Sequence, residues 1–349
     1  MDPLTQGVLG AAIGHVVAGR QIGKAAMALG FVGGVLPDLD VYLVSDDSSI
    51  DYWRYHRGIT HSLFFGPVIG AGLALICNWL WRWRGWSQMS LTRWYLLWVA
   101  ALVTHPLLDA ITHWGTKLLT PLTEARFGIS ALAVIDPVYS TILAIGLIWA
   151  VFAGARTPRA RSIVTAALLF STAYIGFGWL QNIRAEQIAR ADLARQNLPH
   201  TEVVAYTTMF LPWLRRCVAT NGKGHWVGYV STFSPKPIRW IEVESHPEAR
   251  PFIAEFAKSE EGQIYLAFAN GPLKTMVINN GNGERELRMD DMRYGFVGTT
   301  LSGLWGLSVV FNGDGTISRM ARYSMRPDTS SANVWALLRA HFGLSQELF

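Results

Sequence analysis

A chain of 349 residues has room for two domains, and this one is half hydrophobic, with 15 tryptophans and only 16% charged residues. A wholly soluble chain usually carries about a quarter charged residues, so the composition points to membrane helices. The net charge of +5 is scattered without a basic stripe, which argues against a nucleic-acid partner, and two cysteines, Cys77 and Cys217, exclude a disulfide scaffold or a Cys-rich zinc site.

Residues 4–19 are apolar, short and rich in Gly and Ala, and the opening Met1-Asp2-Pro3 lacks the basic start of a signal peptide. They are expected to form a re-entrant or interfacial helix. Five stretches approach the 20 apolar residues that a span needs, at roughly 25–44, 62–81, 94–112, 134–154 and 162–180. Trp79, Trp81, Trp83, Trp86, Trp94 and Trp98 crowd one boundary, as an aromatic belt does. Residues 181–197 resemble a charged amphipathic helix leaving the membrane. Beyond it, strands are expected at Glu202–Phe210, Trp226–Phe233, Trp240–Glu244, Lys274–Asn279 and Leu304–Phe311. Asn-Gly or Asp-Gly pairs at 221–222, 280–281 and 314–315 signal hairpins, and helices are expected near 246–258 and 331–342. The predicted fold class is a multi-pass α-helical membrane domain, residues 1–180, followed by an extramembrane α+β domain, residues 181–349.

Basic residues set the orientation. Arg20 with Lys24, then Arg82, Arg84 and Arg93, then Arg156, Arg159 and Arg161 fall on one side if the spans alternate. The positive-inside rule makes that side cytoplasmic. The other ends carry Asp38, Asp40, His56, His61, His105, Asp109, His113 and Asp136, so these gather at the outer face, with the C-terminal domain in the periplasm of a Gram-negative cell.

Ionisable groups are expensive in or beside a membrane, so several together imply a partner, and the obvious one is a metal. His105, Asp109 and His113 at i, i+4 and i+8 would share one helix face within roughly 80°. An HxxxD pair on a helix suits a divalent ion, zinc first. Pro106 is expected to kink that helix, and a hydrogen-bonded His–Asp pair is the structural alternative. For His113 an interfacial place beside Trp114 is an equal alternative. Gly58 suggests a turn that aims His56 and His61 at one pocket, with Arg57 a fork for phosphate; a helix-start histidine and an interfacial arginine are the structural alternatives. Asp38 is read as a ligand and Asp40 as a carboxylate that orients a histidine or serves as general base, with helix termination and solvated acids as the structural alternative. Asp136 before Pro137 is both an N-cap and a candidate catalytic carboxylate. Asp46, Asp47 and Asp51 read as loop charges without a role, and His15 as more structural than catalytic.

These residues resemble the bacterial membrane-bound metal-dependent hydrolase family of the YdjM, YbcI and YfhP type. The likeness rests on Met1–Gln6, Leu36–Asp40, His56–Leu63, His105–Asp109, Gly115–Pro121 and Ile135–Tyr139, and more weakly on Pro212–Arg216 and Asp291–Gly295. It implies a hydrolase with a bound divalent metal in the bacterial inner membrane; His15 stands where some members carry Glu. A looser likeness in motif style to helical zinc-dependent phospholipases C and nucleases suggests a mechanism. A metal held by Asp38, His56, His61, His105 and Asp109, with His113 as a further candidate, would acidify a water that attacks a phosphodiester or ester. Arg57 would stabilise developing charge, and Asp40 or Asp136 would serve as base. A lipid or lipid-linked substrate fits a membrane site. The competing expectation is a non-catalytic, metal-stabilised scaffold that presents the C-terminal domain to envelope partners. Transport ranks third, because the inner halves of the spans lack ionisable residues.

Overall fold

The computed structural model describes residues 1–43, 49–86, 89–281, 283–295, 303–325 and 330–344, which leaves Asp46 and Asp47 outside the described residues. The chain divides into two compact units. One comprises Met1–Ser45 with Arg54–Trp179, and the other Asp46–Trp53 with Leu180–Phe349.

The first unit is built of helices. Asp2 caps α1 (Pro3–Ile22) by accepting from the Thr5 backbone N–H at 2.9 Å, with Pro3 opening the helix. Gly23, at φ 59°, supplies the left-handed residue at the reversal into α2 (Lys24–Val35). Glycines let the two helices touch along their backbones. A Cβ on Gly10 would stand 2.2 Å from the Gly30 oxygen, and one on Gly34 would stand 2.3 Å from the Gln6 oxygen. Small residues create such close approaches where apolar burial alone cannot drive helices together. So α1 is a full 20-residue helix with twelve buried residues, longer than the short interfacial segment expected.

After α2 the chain tightens into a 3₁₀ turn, Leu36–Leu43, then forms α3 (Ser49–Tyr55) and a second 3₁₀ turn, Ile59–His61. Three helices come next: α4 (Phe65–Trp83), α5 (Leu91–Ala110) and α6 (Pro137–Phe152). The buried side of α5 carries Trp94, Leu97, Trp98, Ala101 and Leu102. Trp94 and Trp98 are therefore core residues, whereas Trp79, Trp83 and Trp86 face outward as a belt requires.

Among the described residues, two helices are long and apolar enough to cross a membrane, Lys24–Tyr42 and Pro158–Arg195, and a bent pair, Ile50–His61 with Phe65–Trp83, makes up to three. The stretch expected at 134–154 yields a 16-residue helix, about 24 Å long, which is short of a hydrocarbon core of about 30 Å. The stretch expected at 94–112 forms α5, which is not among the apolar candidates. The fifth expected span and the charged helix after it are one element, α7 (Pro158–Arg195), of 38 residues.

The second unit holds two four-stranded antiparallel meanders. The first runs β1 (Glu202–Thr207), β2 (Leu214–Thr220), β3 (Gly224–Ser231) and β4 (Ile241–Glu244). The second runs β5 (Leu273–Asn279), β6 (Arg285–Asp291), β7 (Trp305–Phe311) and β8 (Ile317–Ser324). Between the sheets in sequence lie α8 (Ala249–Phe256) and α9 (Glu260–Ala269), and α10 (Ser331–His341) comes after β8. The three Asn-Gly and Asp-Gly pairs fall between β2 and β3, β5 and β6, and β7 and β8.

Candidate metal centre

Among the described residues, one group of His, Cys, Asp and Glu donors gathers closely enough to hold a metal ion: Asp38, His61, His105 and Asp109. One ligand atom from each lies within 4.8 Å of all the others. Separate pieces of chain converge here, because α1, α2 and α5 pack together and the 3₁₀ turns close over the end. Asp38 comes from the turn after α2, His61 from the turn before α4, and His105 and Asp109 from consecutive turns of α5.

The distances suit a small cation. His61 Nε2 lies 3.0 Å from His105 Nε2, 3.3 Å from Asp38 Oδ1 and 3.4 Å from Asp109 Oδ2. His105 Nε2 lies 3.4 Å from Asp38 Oδ1 and 3.8 Å from Asp109 Oδ2. A zinc tetrahedron with bonds of 2.0–2.1 Å has edges of about 3.3 Å. Three of the side chains are fully buried, and Asp38 alone keeps some solvent contact, at 14%.

Hydrogen bonds on the far side of each ring fix its chemistry. His105 Nδ1 sits 2.6 Å from the Gly34 carbonyl, which can only accept, so the proton is on Nδ1. The Thr60 hydroxyl donates to Asp40 Oδ2 at 2.6 Å, so its oxygen accepts from His61 Nδ1 at 3.0 Å. Both neutral rings then direct Nε2 lone pairs at each other and at two carboxylate oxygens. Four acceptors facing one another call for positive charge among them, which a proton on one ring or a metal ion among all four would supply beside the neighbouring Arg57. Asp109 Oδ2 is buried and accepts no well-formed hydrogen bond among the described residues, with Arg57 Nε 3.0 Å away. The donor set thus fits a divalent ion.

Around the four sits a second ring of contacts. Asp40, 5% exposed, accepts from His56 Nδ1 at 2.8 Å and from the Arg57 backbone N–H at 3.2 Å, and it lies 3.3 Å from His61 Nδ1. It orients His61 as a carboxylate behind a metal-bound histidine does. Asp109 Oδ1 is paired with the Met1 amino group and accepts from Gln6 Nε2 at 3.0 Å. Arg57 brings Nε to 3.0 Å from Asp109 Oδ2, while its guanidinium lies 5.5 Å from the Trp114 ring. Its φ of 60° is uncommon for a residue with a side chain, and such strain gathers at functional sites.

Of the residues expected at the site, the structure brings Asp38, His61, His105 and Asp109 together. His56 holds Asp40 and is not one of the converging four. The i, i+4, i+8 face expected for His113 is not formed, because α5 ends at Ala110, closed by the Thr112 N–H and hydroxyl on the Asp109 carbonyl. Asp40 faces His56, the Arg57 N–H, the Thr60 hydroxyl and His61, and so stands behind His61 outside the converging four. Asp136 caps α6 through the Tyr139 N–H at 2.9 Å, accepts from the Tyr174 hydroxyl at 3.2 Å and stands outside the four. His15 is buried in α1 with Nε2 2.9 Å from the Ala155 carbonyl. α5 continues through Pro106 to Ala110. Sequence reasoning missed Gln6, Gly34 and Thr60. An amide near the start of an apolar, Gly-rich helix was the signal for Gln6; the Gly34 carbonyl left none.

Fold and site together define a protein with apolar membrane-type helices and a buried His/Asp centre able to bind a metal ion. Residues 1–185 match the family model described as YdjM inner membrane protein, and the chain belongs to that family. It is 30% identical over 128 residues to inner membrane protein YbcI of Escherichia coli (strain K12), an alignment covering 36% of this chain and 69% of that protein. No solved structure matches the chain.

Proposed function

We propose that this protein is a membrane-bound hydrolase in which Asp38, His61, His105 and Asp109 hold a divalent metal, zinc before others, and that it cleaves a phosphodiester or ester in a lipid-type substrate. The observation that carries this is the convergence of two imidazole lone pairs and two carboxylates at tetrahedral spacing. A metal bound there would acidify a water and polarise the bond under attack. The chain supplies the rest. Asp40 and the Gly34 carbonyl hold the two rings in the tautomers that leave Nε2 available. Arg57 sets a fixed positive charge beside Asp109, where an oxyanion or phosphate would be held. The partly exposed Asp38 marks the side from which water would enter.

The membrane arrangement belongs to the same proposal: several passes through a bacterial inner membrane, with the centre and the C-terminal unit on the periplasmic side. Supporting it, Arg20 and Lys24 flank the α1–α2 reversal, Arg82 and Arg93 lie at the facing ends of α4 and α5, and Arg156 and Arg159 lie between α6 and α7 or at its start. The acidic and histidine ligands lie at the opposite ends of those helices. At 38 residues, α7 spans about 57 Å, enough to cross and continue beyond the bilayer.

One observation favours the alternative of a metal-stabilised scaffold. Four protein donors fill a tetrahedral site, as structural zinc sites do, whereas catalytic sites keep a position open. The deciding experiment is a screen of phospholipid, phosphodiester and ester substrates with protein reloaded with zinc, manganese or cobalt. Turnover lost in Arg57→Lys at unchanged metal content supports the hydrolase. No turnover with any metal supports the scaffold.

A further inference from the structure

The residues that enter the metal centre before α4 are anchored by an unusual excursion of the chain. Between the two turns of the centre, the described residues 49–53 count with the C-terminal unit, and residues from Arg54 count with the helical unit. The excursion ends inside one short helix, α3 (Ser49–Tyr55). Its first part is deeply seated: Ile50 and Trp53 are each 3% exposed. The Trp53 ring lies edge-on to Tyr265 at 4.9 Å and stacks on Phe268 at 5.6 Å, both of α9 and both 1% exposed. The Arg322 guanidinium lies 4.8 Å from the Tyr52 ring. The Arg293 guanidinium lies over the Phe268 ring, 4.8 Å from its centre.

The segment from Trp53 to the centre is short and stiff. Four residues after Trp53 comes Arg57, and eight residues after it His61. The Gly58 N–H donates to the Tyr55 carbonyl at 3.0 Å and the His61 N–H to the Gly58 carbonyl at 3.0 Å, so hydrogen bonds link α3 to the histidine. The turn has no slack, because a Cβ on Gly58 would stand 2.9 Å from the Tyr55 oxygen. Within it Arg57 holds φ at 60°, a conformation that persists only where its surroundings impose it. The turn is pinned at Arg57 by its N–H to Asp40 at 3.2 Å and its Nε 3.0 Å from Asp109, and it is continuous with structure at both ends. His61 and its bond to Asp40 hold one end, and α3 is the other.

We propose that Trp53 is a positioning residue for the metal centre, and that the C-terminal unit controls metal affinity by gripping α3 through the Tyr265–Phe268 aromatic pair. This rests on the reading of Asp38, His61, His105 and Asp109 as a metal centre and adds a regulator to it. A ligand set displaced by about 1 Å loses much of its function, so a grip eight residues away suffices. Whatever loosens or tightens the aromatic pair then tunes the centre, which gives the C-terminal unit a task distinct from chemistry.

The test is zinc affinity of the purified full chain, measured by competition with a chromophoric chelator. The variants are Trp53→Ala, Trp53→Phe, Phe268→Leu and, as control, Val227→Ala in the β1–β4 sheet, a buried truncation that destabilises the same unit without touching α3. The expected result is zinc binding at unchanged stoichiometry but weakened about tenfold or more in Trp53→Ala, weakened to a lesser degree in Phe268→Leu, restored in Trp53→Phe and unaltered in Val227→Ala. Where Trp53→Ala does not fold, Phe268→Leu carries the test. Wild-type affinity in the folded Trp53 and Phe268 variants overturns the inference while leaving the metal centre standing, and so does equal weakening in Val227→Ala. Absence of zinc binding by the wild-type protein removes the metal centre and the inference together.

Discussion

Asp40 touches no atom of the converging four except through His61, yet it receives His56, the Arg57 backbone, Thr60 and His61 on two oxygens. A carboxylate behind a ligand histidine is worth about 10–100-fold in metal affinity. Asp40→Asn is accordingly expected to weaken zinc binding by that factor while leaving the stoichiometry intact; an unchanged affinity would mean that the Thr60 hydroxyl alone orients the ring. The ligand types were legible because histidine and aspartate are rare among apolar residues, and the pairing of His105 with Asp109 comes from i, i+4 spacing on α5. The division between ligands and their supports was not legible. His56 and His61 look equivalent in sequence, and only the turn through Gly58, with Arg57 in a left-handed conformation, sends one ring to Asp40 and the other to the centre. The face expected for His113 is not formed because spacing on a helix holds only while the helix lasts.

At the scale of elements, the α1–α2 pair is the frame on which the centre hangs. Gly34 belongs to that contact and also lends its carbonyl to His105, while Gln6, opposite it on α1, reaches Asp109. A methyl group on Gly34 would meet the Gln6 oxygen at 2.3 Å, a main-chain atom that cannot swing aside. Gly34→Ala is expected to destabilise the helical unit by about 1–3 kcal/mol and to lower metal occupancy. Gly72 in α4 provides the contrast, with nothing within 4 Å of an added Cβ, and Gly72→Ala is expected to be neutral or to stabilise by up to about 1 kcal/mol. Thermal unfolding in detergent reads both. Apolar runs and Asn-Gly turns made most helices and several hairpin strands visible beforehand. The strands β2, β6 and β8 escaped notice for physical reasons: β2 is buried along nearly its whole length with Arg215 and Arg216 inside it, β6 carries five charged residues of seven around Leu287 and Met289, and β8 buries none of its residues fully. The continuity of α7 was hidden by a change of composition within one unbroken helix.

On the scale of the whole molecule, the two units are predicted to respond differently to their surroundings. Stability of the C-terminal unit depends on two buried histidines. His225 has Nε2 2.9 Å from the Leu273 carbonyl, and His341 has Nδ1 2.8 Å from the Leu337 carbonyl. Burial holds both below the ordinary value of 6.5, and nearby Arg216 adds to the effect at His225. Both are therefore neutral when folded, and the unfolded chain takes up protons first as pH falls. Their contribution is complete above about pH 6.5 and is lost as pH falls through that value toward the depressed folded-state values. Thermal unfolding is expected to move to lower temperature between pH 7.5 and 5, with a shallower slope in His225→Gln; an identical slope would assign the acid sensitivity elsewhere. Composition and charge made a membrane-helical part and a strand-rich part legible, but the grouping of residues 49–53 with the second unit was not. Trp53 sits in a short aromatic stretch next to the His56–His61 motif, and no local pattern tells that its ring is seated beside Tyr265 and Phe268.

The central claim is that Asp38, His61, His105 and Asp109 bind one divalent ion. Metal analysis of the purified protein tests it most directly, comparing wild type with His61→Ala and Asp109→Ala at matched folding. The account predicts about one equivalent of divalent metal in the wild type, zinc foremost, and loss of most of it in both variants. Full metal content in both variants, or none in the wild type after zinc loading, would contradict it.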